Sequence, residues 1–206
     1  ISGTALAAPP PDSVTMMWPM ISSLTEVRQC LVHLKMAKDY LTDNGVAFYP
    51  NIKVGGMIET PAAALIVGSL LKLVDFVSIG SNDLVQYTLA ADRSNKDVAA
   101  LYQPAHPAVL RLMLHILRTA NRMEKPVSIC GEMAGDPVFA RLLLGMGFRH
   151  FSMQPSKMLA FKEIVLSCRV DQLESKMVPI LKNDDPARIP ELLEKLNSVC
   201  STTITY

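Results

Sequence analysis

Short apolar runs without polar alternation recur along this chain at helix-sized intervals, and no other feature limits its fold as much. "VTMMWPMI", "VGGMIE", "FVSIG", "VSIC" and "FRHFSM" each read as a strand, most of them covered on both faces. Helical segments lie between them. Ser23 to about Asn44 forms the first, and Thr60 caps a second that has Pro61 at its first position. Pro107 opens another, with Val109, Leu112, Met113, Ile116, Leu117 and Ala120 on one face. Asp136 and Pro137 start "VFARLLLGMG", and Ser156 caps "KMLAFKEIVLSC". Strand alternating with helix predicts an α/β fold built on a parallel sheet or barrel.

The pattern makes about five βα units, whereas a closed barrel of this kind needs eight and usually about 250 residues. A chain of 206 residues therefore reads as the later part of a (βα)8 TIM-type barrel. The expected organisation is a loose N-terminal segment over 1–13, a partial barrel over 14–170 and a helical tail over 171–206.

Half of the residues are hydrophobic and 19% are charged, the balance of a chain that folds. A net charge of +1, with no long run of one sign, offers nucleic acid no binding face. The most apolar stretch, "PAAALIVGSLLKLVDFVSIG", is interrupted by Lys72 and Asp75 and ends in β-type residues. It predicts a buried helix running into a buried strand, not a membrane span. The first residues lack the basic region and long apolar core of a secretory signal. Cys30, Cys130, Cys168 and Cys200 have neither CxxC spacing nor a dense framework, which fits reduced thiols in the cytoplasm.

Chemistry in a parallel β/α fold gathers at the carboxyl ends of the strands. Three polar groups fall there: Glu59 after "VGGMI", Ser81-Asn82-Asp83 after "FVSIG", and Cys130-Gly131-Glu132 closing "VSICGE". Glu59 and Asp83 on neighbouring strands suit a hard cation such as Mg²⁺, which takes one or two carboxylates and completes its shell with water and substrate oxygens. Either acid alone is more simply a helix cap or a solvated loop acid; their joint placement favours the pair. Asn82 and Arg93 are candidates for holding an anion, Arg93 through its planar fork. A surface salt bridge is the plain alternative for Arg93.

A lone cysteine is usually core packing, but Cys130 sits at the rim beside the two acids. With an ordinary pKa of roughly 8.5 such a thiol is mostly protonated near neutrality, so it can donate a proton as well as attack; spacing leaves both open. His106 reads as a helix-start residue, and His33, His115 and His150 have no ligand spacing. Arg111, His115, Arg118 and Arg122 form a stripe suited to a solvated or oligomer face, and the methionines fill the core.

"GGMIETPAAAL", "VDFVSIGSNDLVQYTLAADR", "LYQPAHPAVLRLM" and "ICGEMAGDPVFARLLLGMGFRHFSM" closely resemble the C-terminal domain of Enzyme I of the phosphoenolpyruvate-dependent phosphotransferase system. The resemblance covers about Val14 to Arg169, and "GFRHFSM" leans toward the nitrogen-related rather than the sugar branch. It implies a phosphoenolpyruvate-binding (βα)8 barrel that dimerises, with Mg²⁺ on Glu59 and Asp83. Asn82 and Arg93 match residues that hold phosphate and carboxylate. Cys130 matches the acid that protonates enolpyruvate to pyruvate. The phosphoryl group then passes to a histidine on a separate domain and on to a small phosphocarrier protein of the HPr type.

Two further phosphate-binding arginines of that family lie on early barrel strands that are missing here, and no segment matches its phosphohistidine domain. The expectation is that the chain alone performs no phosphoryl transfer, as a fragment or as a truncated relative. Other readings are a related dikinase or synthase, a Mg²⁺-dependent lyase of the malyl and citrate lyase group that would not need Cys130, and a non-catalytic dimerisation or sensing module.

Overall fold

A computed structural model describes residues 14–92 and 95–198. The N-terminal segment 1–13, Arg93 and Cys200, all named above, lie outside the described residues.

Four parallel strands form one sheet in chain order: β1 (Thr15–Trp18), β2 (Lys53–Ile58), β3 (Phe76–Gly80) and β4 (Val127–Cys130). β3 is buried along nearly its whole length, which explains why its sequence shows no polar alternation. β1 is the edge, and its residues are half-buried or exposed. The registers set Ile58 beside Ile79 and Gly80 beside Cys130, so the carboxyl ends of three strands finish level. The fold is therefore parallel α/β, as the alternation predicts.

The fifth β run contributes a single parallel bridge, Ile129 to Phe151, made by Ile129 N–H donating to the His150 carbonyl and Ser152 N–H to the Ile129 carbonyl. Just before it, Arg149 turns its guanidinium back to the Leu144 and Phe148 carbonyls. The start of that run thus serves the preceding helix's C-terminus, and only the residues around Phe151 pair with β4.

Helix α1 (Leu24–Asp43) starts at a capping box, with Ser23 and Glu26 each satisfying the other's backbone N–H. The apolar stretch after β2 splits into α2 (Pro61–Leu65) and α3 (Val67–Leu70), interrupted at Ile66, before it enters β3. Thr60 caps α2 as expected. Helix α4 (Ser81–Leu89) follows β3 without a loop. In α5 (Pro107–Arg122) Val109, Met113, Ile116, Leu117 and Ala120 are buried; His106 is its N-cap and accepts from Ala108 N–H at 3.1 Å. A short helix α6 (Glu132–Gly135) leads into α7 (Pro137–Met146), capped by Asp136.

Helix α8 (Pro155–Ser167) departs from expectation. Its N-cap is Gln154 and no side chain caps it, because Pro155 already occupies the first helical position and leaves Ser156 inside. The tail forms α9 (Val170–Lys182) and α10 (Ile189–Ser198), whose Leu173, Met177, Ile180, Leu193 and Leu196 join the same buried cluster as the sheet. Among the described residues no helix is long and apolar enough to cross a membrane.

Candidate functional site

Glu59 is the residue after β2, and its side chain is bent back over the sheet. A Cβ added to Gly80 would lie 2.6 Å from Glu59 Oε2, so the carboxylate reaches the end of the neighbouring strand only because that strand ends in glycine. Its other oxygen, Oε1, accepts the Met20 N–H at 2.6 Å. Glu59 is 3% exposed. Burial pushes its pKa up, the Met20 hydrogen bond partly opposes this, and the Asp83 carboxylate adds charge repulsion and a hydrogen bond that raise it further.

Asp83 stands in the first turn of α4, and the N-cap of that helix is Gly80. Neither acid is a cap: Thr60 does that work for α2, and Glu59 answers a backbone N–H from the far side of β2. Among the described residues no cation forms an ion pair with either acid, and no cluster of three metal-ligating side chains occurs. Two adjoining carboxylates with no counter-cation among the described residues are a donor set that fits one divalent ion with open positions.

Cys130 ends β4 with its sulfur on the same rim. Sγ donates to the Ile79 carbonyl at 3.4 Å. Burial raises the thiol's pKa, a hydrogen bond from the Ser78 hydroxyl lowers it, and the charges of Glu59 and Asp83 raise it again. The sulfur therefore senses both acids and is held in its protonated form.

The backbone beyond it is fixed by Gly131, whose φ of 93° lies in the left-handed region. A side chain there would collide with Ser81 Oγ and Asn82 Oδ1. Those two atoms are occupied: Ser81 Oγ donates to the Cys130 carbonyl at 2.7 Å, and Asn82 Oδ1 accepts the Glu132 N–H at 2.9 Å. Tyr102 OH in turn donates to the Asn82 carbonyl at 3.2 Å.

A cleft of about 670 Å³ opens at the end of β4, lined by Asn82, Cys130, Gly131, Ser152, Gln154 and Lys157 among others. Neither Glu59 nor Asp83 is among the residues that line it. The structure thus gathers Glu59, Asp83, Asn82 and Cys130; Arg93 lies beyond what it describes. Sequence reasoning missed the Met20 N–H, Tyr102, Lys157 and the serines beneath the thiol. A signal for the serines exists: "VSI" precedes both Gly80 and Cys130, and parallel strands in register bring equivalent positions side by side.

A family model described as "PEP-utilising enzyme, PEP-binding domain" matches residues 5–170. The chain is 46% identical over 183 residues to a phosphoenolpyruvate-protein phosphotransferase of Cupriavidus necator, covering 89% of this chain and 31% of that protein. It is 49% identical over 147 residues to the enzyme of that name from Geobacillus stearothermophilus, covering 71% of this chain and 25% of that protein. Among solved structures, a citrate lyase from Burkholderia xenovorans superposes with a TM-score of 0.52 at 20% identity, over 91% of this chain and 64% of that one; at that identity the likeness is one of fold. The chain spans about a third of the curated relatives' length or less. On the strength of the match across most of its length, it belongs to the PEP-binding domain family of the PEP-utilising enzymes.

Proposed function

We propose that this chain is the phosphoenolpyruvate-binding part of a phosphoenolpyruvate-protein phosphotransferase, its sheet the later arc of a (βα)8 barrel. Glu59 and Asp83 hold Mg²⁺, with water and substrate oxygens completing the shell. When bound, Mg²⁺ offsets the negative charge that builds on the phosphoryl and enolate oxygens. Arg93 and Asn82 position the phosphate and carboxylate. The phosphoryl group leaves for a histidine on a separate domain and then for a small phosphocarrier protein, and the parent works in the cytoplasm as a homodimer.

Cys130 completes the reaction. Its S–H bond breaks as a C–H bond forms at the methylene carbon of enolpyruvate. The enol π pair supplies the new bond, the enolate oxygen becomes the ketone of pyruvate, and the sulfur keeps its own pair as thiolate. A thiol held protonated near neutrality is matched to such a donation.

One observation carries this reading. Cys130 lines a cleft, and its thiol at the same time feels both acids across three level strand ends. In the full-length phosphotransferase, Cys130→Ala is expected to slow deuterium entry into the methyl group of pyruvate by about 10²-fold or more. Formation of phosphohistidine from phosphoenolpyruvate should partly survive. Equal exchange in variant and parent would remove the thiol from the mechanism.

A further inference from the structure

The connection from β1 to α1 is held in a shape that its own residues do not favour. It runs Pro19, Met20, Ile21, Ser22, Ser23, and Met20 has a φ of 54° with its side chain exposed. A long side chain at positive φ is uncommon and costs energy, so surrounding contacts impose it. On the helix side, Glu26 takes the Ser22 and Ser23 N–H groups at 2.7 and 2.9 Å. On the sheet side, Ile21 is buried, its Cδ1 2.9 Å from where a Cβ on Gly56 would lie.

Between these anchors one hydroxyl makes the tie. Trp18 and Gly56 are the last register partners of β1 and β2, so the backbone ladder stops short of Glu59 and Thr60. The side chains of those two residues take over. Glu59 Oε1 accepts the Met20 N–H at 2.6 Å, and Thr60 Oγ1 donates to the Ile21 carbonyl at 2.9 Å. A carbonyl only accepts, so the Thr60 hydrogen is committed to the loop. Its oxygen accepts the Ala63 N–H at 3.1 Å as the cap of α2. Capping asks only for an acceptor, which aspartate would supply; the bond to Ile21 asks for a hydrogen as well. Successive residues of the loop are thereby gripped. With Oε1 engaged, Oε2 is the oxygen that faces Gly80 at the end of β3.

We propose that Thr60 is a positioning residue for the Glu59 carboxylate: by holding the Ile21 carbonyl it keeps the Met20 N–H on Oε1 and leaves Oε2 to a divalent cation. This rests on the reading of Glu59 as a Mg²⁺ ligand and adds no chemical step. Such preorganisation shows as affinity, because the side-chain freedom is given up on folding and not on binding.

In the full-length phosphotransferase, Thr60→Val keeps the shape of the side chain and removes its hydroxyl. Mn²⁺, followed by the electron paramagnetic resonance of the free ion, is expected to bind about fivefold more weakly, the worth of one ordinary hydrogen bond. The Mg²⁺ concentration for half-maximal pyruvate formation should rise by a similar factor, and excess Mg²⁺ should recover most of the rate. Thr60→Ser should bind Mn²⁺ as the parent does. Thr60→Gly, which a helix N-cap tolerates well, should bind as weakly as Thr60→Val and serves if that variant does not fold. Met20→Gly reaches positive φ without strain, so adding it to Thr60→Val should regain about twofold or more of the loss. A role confined to capping predicts faster amide exchange in α2 with Mn²⁺ affinity unchanged, and that result overturns the proposal. Equal weakening in Thr60→Val and Thr60→Ser overturns it too, since the hydroxyl would then not matter. If Glu59→Gln binds Mn²⁺ as the parent does, the metal reading falls and takes the proposal with it. Loss of Mn²⁺ in Glu59→Gln beside parent-like Thr60→Val keeps the ligand and removes only Thr60.

Discussion

Glycine at 131 is the residue on which the rim turns. Its φ of 93° and the crowding by Ser81 Oγ and Asn82 Oδ1 leave no room for a methyl group. Gly131→Ala is expected to cost roughly 1–3 kcal/mol, from positive-φ strain and displacement of those side chains, measured by urea unfolding. Glu59 gives a pH signature. Without a metal ion, the folded state keeps this proton to higher pH than the unfolded chain does. Between the ordinary 4.5 and the raised value the folded state therefore binds more protons. Its contribution to stability is complete on the acid side and is lost as pH rises through that window. Glu59→Gln should flatten that slope in stepped-pH denaturation, and an unchanged slope would assign it to another group. Glu59, Asp83 and Cys130 were legible in the sequence because the ends of apolar runs mark the rim. The Met20 N–H was not, since a backbone donor from another strand leaves no trace in residue type.

Among the elements, β2 to β4 and the helix starts at Ser23, Thr60, Pro107 and Asp136 could be read directly, because capping residues and proline act locally. Ser156 misled because a serine two residues into a segment looks like a cap unless the proline before it is given the first turn. The fifth run, "FRHFSM", expected as a full strand, makes only one bridge because its early residues are drawn off by the end of α7. The tail helix α9 packs tightly on α7: a Cβ added at Gly145 would meet Met177 Cγ at 2.7 Å. Leu173 is fully buried in this contact. Leu173→Ala is expected to destabilise by about 2–5 kcal/mol, with amide exchange rising in α7 as well as in α9. Exchange confined to α9 would make the tail a separate unit.

At the scale of the whole molecule, β1 has no strand partner on its outer side among the described residues, whereas β4 has the bridge to Phe151, and Met17 on β1 is 37% exposed. On the outer helix α1, Val32, Met36 and Tyr40 are 57%, 60% and 68% exposed, on one face at successive four-residue steps. Both surfaces are ones that a further layer of chain, or a partner, would cover. The chain by itself should self-associate as concentration rises, and Met17→Lys, a charge placed on the edge, should reduce this. Sedimentation velocity decides it: a monomer at all concentrations would show the edge to be already protected.

Met20 lies two residues beyond the end of that edge strand and adopts φ of 54°, uncommon for a side chain of its kind. From this bent position its N–H steadies the Glu59 carboxylate. The Glu59 carboxylate is thus wired to the sheet's outermost margin, so whatever docks along that margin also tunes how the acid is aimed. On the proposed function, affinity for Mg²⁺ would then report on what covers β1.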